Sequence, residues 1–209
     1  MQTITSRNHP LIKRLIKLES SAQYRKKSRL TLLDGEHLIQ TYCNTVGLPE
    51  NLIVSESYAG QMLQQAIADK PSTKVMLISD TLFRAVSPVK SPTGILALIE
   101  IPKVKPASQP EIFSVLLEDI QDPGNLGSIL RSAAAAGVQH AYLSKHCADA
   151  WSSKTLRAAM GAHFLLRIHE HCDLPRIAQQ FPGTVIATAL PATKNLFEVP
   201  LTSATAFVF

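Results

Sequence analysis

Cysteine is scarce in this chain: Cys43, Cys147 and Cys172 are the three among 209 residues, odd in number and far apart. They form no CxxC pair and no disulfide framework, so they read as buried or idle thiols. Long hydrophobic runs are lacking as well. No apolar stretch approaches the roughly 20 residues a membrane helix needs, and Met1 to Lys17 lacks the uninterrupted apolar core of a signal peptide. A cytoplasmic location without membrane contact is therefore expected. Neither a glycine-rich dinucleotide fingerprint nor a phosphate-binding loop occurs, which ranks a generic nucleotide-binding α/β domain last. What remains is an ordinary globular composition, 45% hydrophobic, able to build real cores.

Charge is unevenly placed. Residues 1–30 carry Arg7, Lys13, Arg14, Lys17, Arg25, Lys26, Lys27 and Arg29 against the single acid Glu19, a balance of +7, while the remaining chain is at −2. A concentrated positive footprint on an otherwise near-neutral protein suits phosphate-backbone binding, where each neutralised phosphate releases counterions. The same distribution fits a solvated basic helix face, and charge alone does not choose between them.

Periodicity divides the chain in two. Ile4, Leu11, Ile12, Leu15, Ile16 and Leu18 fall at helical spacing between Ile4 and Leu18. Strands are expected at 30–33, 52–54, 75–79 and 94–100, and helices at 36–45, 59–69 and 80–86, giving an α/β sandwich over residues 1–100. Pro102, Pro106 and Pro110 disfavour both helix and central strand, so 101–110 reads as a linker. Alternation then restarts over 111–209, with strands at 114–118, 141–144, 164–169 and 184–188 and helices at 126–136, 152–160 and 174–181. Strands separated by helices of about ten residues imply a largely parallel sheet. Ala204 to Phe209 is an apolar, β-prone run of the kind found inside a sheet, and a chain that closes on it is expected to be a fragment or truncated product.

The segment richest in chemistry is the apolar strand from Val115, the turn Asp122-Pro123-Gly124-Asn125, and the Ala-rich helix closed by Gly137. Asn125 falls near the helix start, where capping is the role that local sequence favours over contact with a ligand. Arg131 is the one long polar group in that helix, and in isolation a surface arginine is the plain reading. His169-Glu170-His171-Cys172 is too compact for a tetrahedral metal site and lacks zinc-finger spacing, so no metal is expected. His163 reads as structural, and Trp151 as core or interface.

The run from Asp122 to Gly137 resembles the first motif of SpoU-type RNA methyltransferases of the SPOUT superfamily. The similarity continues through Trp151-Ser152-Ser153-Lys154-Thr155-Leu156-Arg157-Ala158-Ala159-Met160-Gly161-Ala162-His163-Phe164 and the polar loop at Lys194-Asn195-Leu196. Residues 1–100, including Arg7-Asn8-His9-Pro10-Leu11-Ile12-Lys13 and Leu33-Asp34-Gly35-Glu36, resemble that family's RNA substrate-binding domain of the ribosomal protein L30 type. The resemblance thus covers essentially the whole chain. It implies an α/β protein in which this front domain precedes a parallel-sheet α/β-knot methyltransferase domain. A Gly-Asn-Glu motif and a later Ile-Pro and Ser-Leu-Asn motif, which the family places after a strand like Ala206 to Phe209, do not follow here. The knot is therefore expected to be untied and the cofactor site half built.

The resemblance further implies transfer of a methyl group from S-adenosylmethionine to a ribose 2′-OH of rRNA or tRNA, with Arg131 at the hydroxyl or its neighbouring phosphate and Asn125 helping to hold the site. Phosphate clamping is the physically easier task for Arg131, because a guanidinium stays protonated. The turn and helix bearing both residues are expected to form one wall of a pocket. Thr188, Ala189 and Leu190 are the candidate cofactor contacts, and Arg7, Lys13, Arg25, Lys26, Lys27 and Arg29 the candidate RNA surface, which lacks an obvious aromatic platform. Dimerisation through the methyltransferase domain is implied in the same way. The rival from another class is a non-catalytic RNA-binding scaffold.

Overall fold

In the computed structural model, which describes residues 3–59, 73–87, 89, 92–104, 112–192 and 194–209, two sheets share one core. The front half begins with helix α1 (Pro10–Ser20), whose start is set by Pro10 at the first helical position and by the His9 imidazole accepting from the Leu11 amide. The helix thus opens within Asn8-His9-Pro10, where the sequence places its start, and Ile4, ahead of it, bridges to Ile78. Ser21 caps a second basic helix, α2 (Ala22–Ser28).

Strands β1 (Leu30–Asp34), β2 (Asn51–Ser55), β3 (Lys74–Ile78) and β4 (Ile95–Glu100) form a sheet in the order β1-β4-β2-β3, antiparallel except for β2 with β3. Alternation along β1 sends Leu30 and Leu32 to one face, where they meet Ile12, Leu15 and Leu18 of α1 and Phe83 of α4 (Asp80–Val86). Leu33 goes to the other face, against Leu38, Ile39 and Tyr42 of α3 (Glu36–Thr45). Most of the helix expected at 59–69 lies outside the described residues, as does the stretch 105–110 of the expected linker.

The rear half is a parallel sheet of β5 (Phe113–Leu117), β6 (His140–Leu143), β7 (Arg167–His169), β8 (Thr184–Ala187) and β9 (Thr205–Val208), in the order β7-β6-β5-β9-β8. The apolar run near Phe209 thus lies between β5 and β8. Helices α5 (Pro123–Ala135) and α6 (Ser153–Ala159) cover one face, and α7 (Leu174–Gln180) the other. One element departs from expectation: 164–169 is not one strand. Gly161, at φ 91°, opens a short 3-10 turn at Ala162–Phe164, and only Arg167–His169 pairs with β6. The turn allows the His163 ring to reach the Ala150 carbonyl, a bond an extended backbone does not offer.

The two halves are joined by more than their connecting chain. Leu33, Val54 and Ile95 belong to the same cluster of buried side chains as Val115, Leu130 and Leu156. Across the seam Thr31 donates to the Trp151 carbonyl at 2.7 Å, Ser153 donates to the Glu19 carboxylate, and Tyr42 meets Phe164 edge-on. Arg25 Nη2 approaches Asp149 Oδ2 at 2.5 Å while Nη1 of the same guanidinium serves the Leu18 and Glu19 carbonyls.

Candidate active site and RNA surface

All five strands of the rear sheet run the same way, so the loops that follow them gather along one carboxyl edge. In open α/β sheets this edge is where ligands bind. The loop after β5 is laced to the loop after β6. Ser144 donates to Asp119 Oδ1 and accepts from the Asp119 amide, both at 3.0 Å, and the Ala148 amide reaches the Ile120 carbonyl at 2.8 Å. Asp119 itself holds φ at 50°, a conformation these bonds stabilise.

Helix α5 starts from this braced loop. Its cap is Asp122 rather than Asn125: the Asp122 carboxylate accepts the Asn125 amide N–H at 2.8 Å. That bond, the largest influence, together with Lys154 3.4 Å away, holds the Asp122 carboxyl below the ordinary carboxylate range. The capping role assigned to Asn125 on local sequence is therefore taken by its neighbour, and the exposed Asn125 side chain is left to other partners. Lys154, a cation beside the helix start, is contributed by α6 and carried no signal beyond its place in the motif segment.

Two clefts flank β9, sharing Phe207 and Phe209. One of about 410 Å³ lies between α5 and the sheet, lined by Val115, Ser128, Ile129 and Ser132. The other, about 680 Å³, opens at the ends of β8 and β9 between Ile186, Thr188, Ala189, Lys194, Leu196 and Phe207. Both are in the size range of small-molecule sites. Of the three candidate cofactor contacts, Thr188 and Ala189 line the larger cleft, whereas Leu190 is fully exposed and outside its lining.

Arg131 is exposed, lines neither of these clefts, and among the described residues makes no hydrogen bond or ion pair. It lies six positions from Asn125, which on a helix turns it about 120° away. The two residues expected to form one pocket wall thus line neither of these clefts. They mark an open helix surface instead.

Of the basic residues expected to meet RNA, Arg7, Lys13, Lys26, Lys27 and Arg29 are exposed. Arg25 is not. At 5% exposure, with Asp149 and two carbonyls on its guanidinium, it is a structural tie between the halves, and it leaves the RNA surface. Its partner lies 124 positions away, a distance no local pattern bridges.

Comparison with known proteins agrees with this architecture. Residues 112–209 match the model of the SpoU rRNA Methylase family, and residues 9–97 match an MRM3-like substrate binding domain. An uncharacterized tRNA/rRNA methyltransferase of Synechocystis is 30% identical over 217 residues, spanning 99% of this chain and 77% of its own length. The chain belongs to the SpoU rRNA methylase family. The Bacillus subtilis 23S rRNA (guanosine(2553)-2′-O)-methyltransferase RlmP is 29% identical over 212 residues, covering 100% of this chain and 82% of that protein. A crystal structure of an RNA 2′-O ribose methyltransferase superposes with a TM-score of 0.79 at 25% identity, over 99% of this chain and 81% of that one. The scaffold alternative is not favoured by these relatives, each named as a methyltransferase.

For a SpoU chain the buried His163 is a support and not a reactant. Its Nε2–H donates to the Ala150 carbonyl at 2.6 Å, its ring meets Trp151 edge-on, and burial pushes its pKa down to about 4. It fixes the Ala150-Trp151 segment that carries Asp149, the partner of Arg25.

Proposed function

We propose that this protein transfers a methyl group from S-adenosylmethionine to a ribose 2′-OH of rRNA or tRNA, along the carboxyl edge of its parallel sheet. The supporting observation is the cleft of about 680 Å³ at the ends of β8 and β9 in a chain of this family. Its residues fit the cofactor: Ile186, Leu196, Val199 and Phe207 offer apolar walls for an adenine ring, and the Lys194 ammonium suits the carboxylate of the methionine moiety. Thr188 and Ala189 stand at the same mouth. When bound, the cofactor supplies an electrophilic methyl group on a sulfonium.

The chain's own task is positioning. In-line transfer requires the ribose oxygen to be held close and aligned, and its proton to leave. Arg131, a cation with no counter-ion among the described residues, is matched to an RNA phosphate and clamps the strand beside the target ribose. Asn125, released from capping by Asp122, offers both a donor and an acceptor to the ribose or its neighbour. The loops braced by Ser144 and Asp119 keep this helix start fixed while RNA is engaged, so little ordering cost falls on binding. Exposed Arg7, Lys13, Lys26, Lys27 and Arg29 supply the salt-sensitive grip on the remaining backbone.

A homodimer and a cytoplasmic location complete the proposal. Leu196, Phe197, Leu201 and Phe209 are exposed apolar side chains in the rear half, the kind of surface a second copy covers. No described helix is long and apolar enough to cross a membrane. The test is to incubate the protein with methyl-labelled S-adenosylmethionine and separate rRNA and tRNA preparations, then digest to nucleosides. Label in 2′-O-methylribose supports the assignment, and label only in bases, or none, overturns it.

A further inference from the structure

Another cleft, of about 520 Å³, opens at the seam of the two halves, apart from the cleft at β8 and β9. One side is α2 and its exit, with Lys26 and Arg29. The other is the loops after β6 and β7, with Cys147, Asp149, Glu170 and His171. Arg29 at φ 53° and His171 at φ 59° are both held in the left-handed region, and they reach the cleft from opposite halves. Non-glycine residues rarely adopt that conformation, and it gathers at binding sites.

The charges inside are sorted. On the floor, Arg25 and Asp149 neutralise each other, with the Trp151 amide donating to Asp149 Oδ1 at 2.9 Å. Glu170 accepts the Ala150 amide on Oε1 at 3.2 Å, and among the described residues no hydrogen bond is made to its Oε2. Burial of its carboxyl and then the Asp149 charge push its pKa up, against the Ala150 amide bond and the Lys26 and Arg25 charges. The cleft therefore offers cationic Lys26 and Arg29 and the His171 imidazole at its mouth, apolar Ile101 on its wall, and one unused carboxylate oxygen.

The loops after β6 and β7 lie on the same carboxyl edge as the cofactor cleft at β8 and β9, about three strand spacings or roughly 14 Å away, with the start of α5 at the central strand between them. A strand of RNA crossing that edge passes both.

We propose that the seam cleft is a nucleotide subsite for the RNA substrate, taking a phosphate on Lys26, Arg29 and His171 and an amino group of the base on Glu170. This deepens the ribose-methylation reading and rests on it. Recognition across the seam makes the front and rear halves read the RNA jointly, so that the base held here helps select which ribose reaches α5.

Two variants test it: Lys26→Ala, and His171→Asn, chosen because asparagine tolerates the left-handed backbone. Neither side chain belongs to the buried Arg25–Asp149 tie, and matching far-ultraviolet spectra and melting temperatures check the fold. Methylation of transcribed 23S rRNA is measured against RNA concentration, alongside photocrosslinking of the wild type to 4-thiouridine-substituted 23S rRNA. The expected result is a 5- to 30-fold rise in KM for RNA in each variant, about the 1–2 kcal/mol of one charge-assisted contact. The effect on kcat is expected to be smaller, the Kd for S-adenosylmethionine unchanged, and crosslinked peptides are expected to span Ala22–Arg29 or Cys147–His171. Unchanged KM in both variants with an active wild type overturns the subsite and leaves the methylation reading standing. A wild type that neither binds nor methylates RNA overturns both.

Discussion

At the residue scale, the polar groups already committed within the protein decide which ones are left for RNA. Asp122 serves the helix start, so Asn125 is spared; Arg25 serves Asp149, whereas Arg131 has no counter-ion among the described residues. Arg131→Lys keeps the charge but loses the planar fork. Its methylation rate is expected to fall at least 100-fold, with S-adenosylmethionine affinity by calorimetry unchanged. Near wild-type turnover removes Arg131 from the mechanism. The tie at the seam behaves differently. Asp149→Ala strands a buried guanidinium, and the expected cost is about 3–5 kcal/mol in chemical denaturation.

His163 gives the molecule a pH dependence whose sign follows from burial. Its folded pKa, about 4, lies below the unfolded value of 6.5, so between these limits the unfolded chain binds the extra proton. Its contribution is constant above pH 6.5 and falls as pH drops toward 4, by up to about 3 kcal/mol. Urea unfolding at pH 7.5 and 4.5 is expected to show this loss in the wild type, and a smaller loss in His163→Asn. Equal losses in both proteins contradict the assignment.

At the scale of elements, the close approach of α5 and α6 holds the site together. A Cβ added at Gly127 falls 2.5 Å from the Ala158 Cβ and 2.6 Å from the Thr155 carbonyl. Gly127→Ala must push the helices apart, an expected loss of about 1–3 kcal/mol in thermal unfolding together with reduced methylation, since α5 carries Asn125 and Arg131. Much at this scale was legible in the sequence. Helices Glu36–Thr45 and Asp80–Val86 begin and end at the expected residues, the latter capped by Ser79. Parallel pairing also followed from strands alternating with ten-residue helices. The turn at Ala162–Phe164 was hidden inside an apolar run, because a strand and a 3-10 turn with buried side chains look alike without their hydrogen-bond partners. Similarly, Asp122 and Asn125 are both good caps, and only the backbone decides between them.

At the scale of the molecule, the reading as a front part, a linker and a rear part meets a core that runs through both sheets. Such sharing was invisible in sequence because the contacts join residues far apart, as Thr31 with Trp151 or Arg25 with Asp149. We expect one cooperative unfolding transition, with intrinsic tryptophan fluorescence and far-ultraviolet circular dichroism coincident in urea. Two separated transitions contradict a common core. The same coupling explains how a basic front half and a methyl-transferring rear half act on one RNA: the α2 surface and the carboxyl-edge loops are held in a fixed relation.

The central claim, that this carboxyl edge methylates a ribose hydroxyl in RNA, is tested most directly in the cell. Ribose methylation is mapped across rRNA and tRNA from the source strain, from a deletion of the gene, and from the deletion carrying the Arg131→Lys form. At least one 2′-O-methylated ribose is expected to disappear in the deletion and not to return with Arg131→Lys, although the wild-type gene restores it. An unchanged map in the deletion contradicts ribose methylation by this protein.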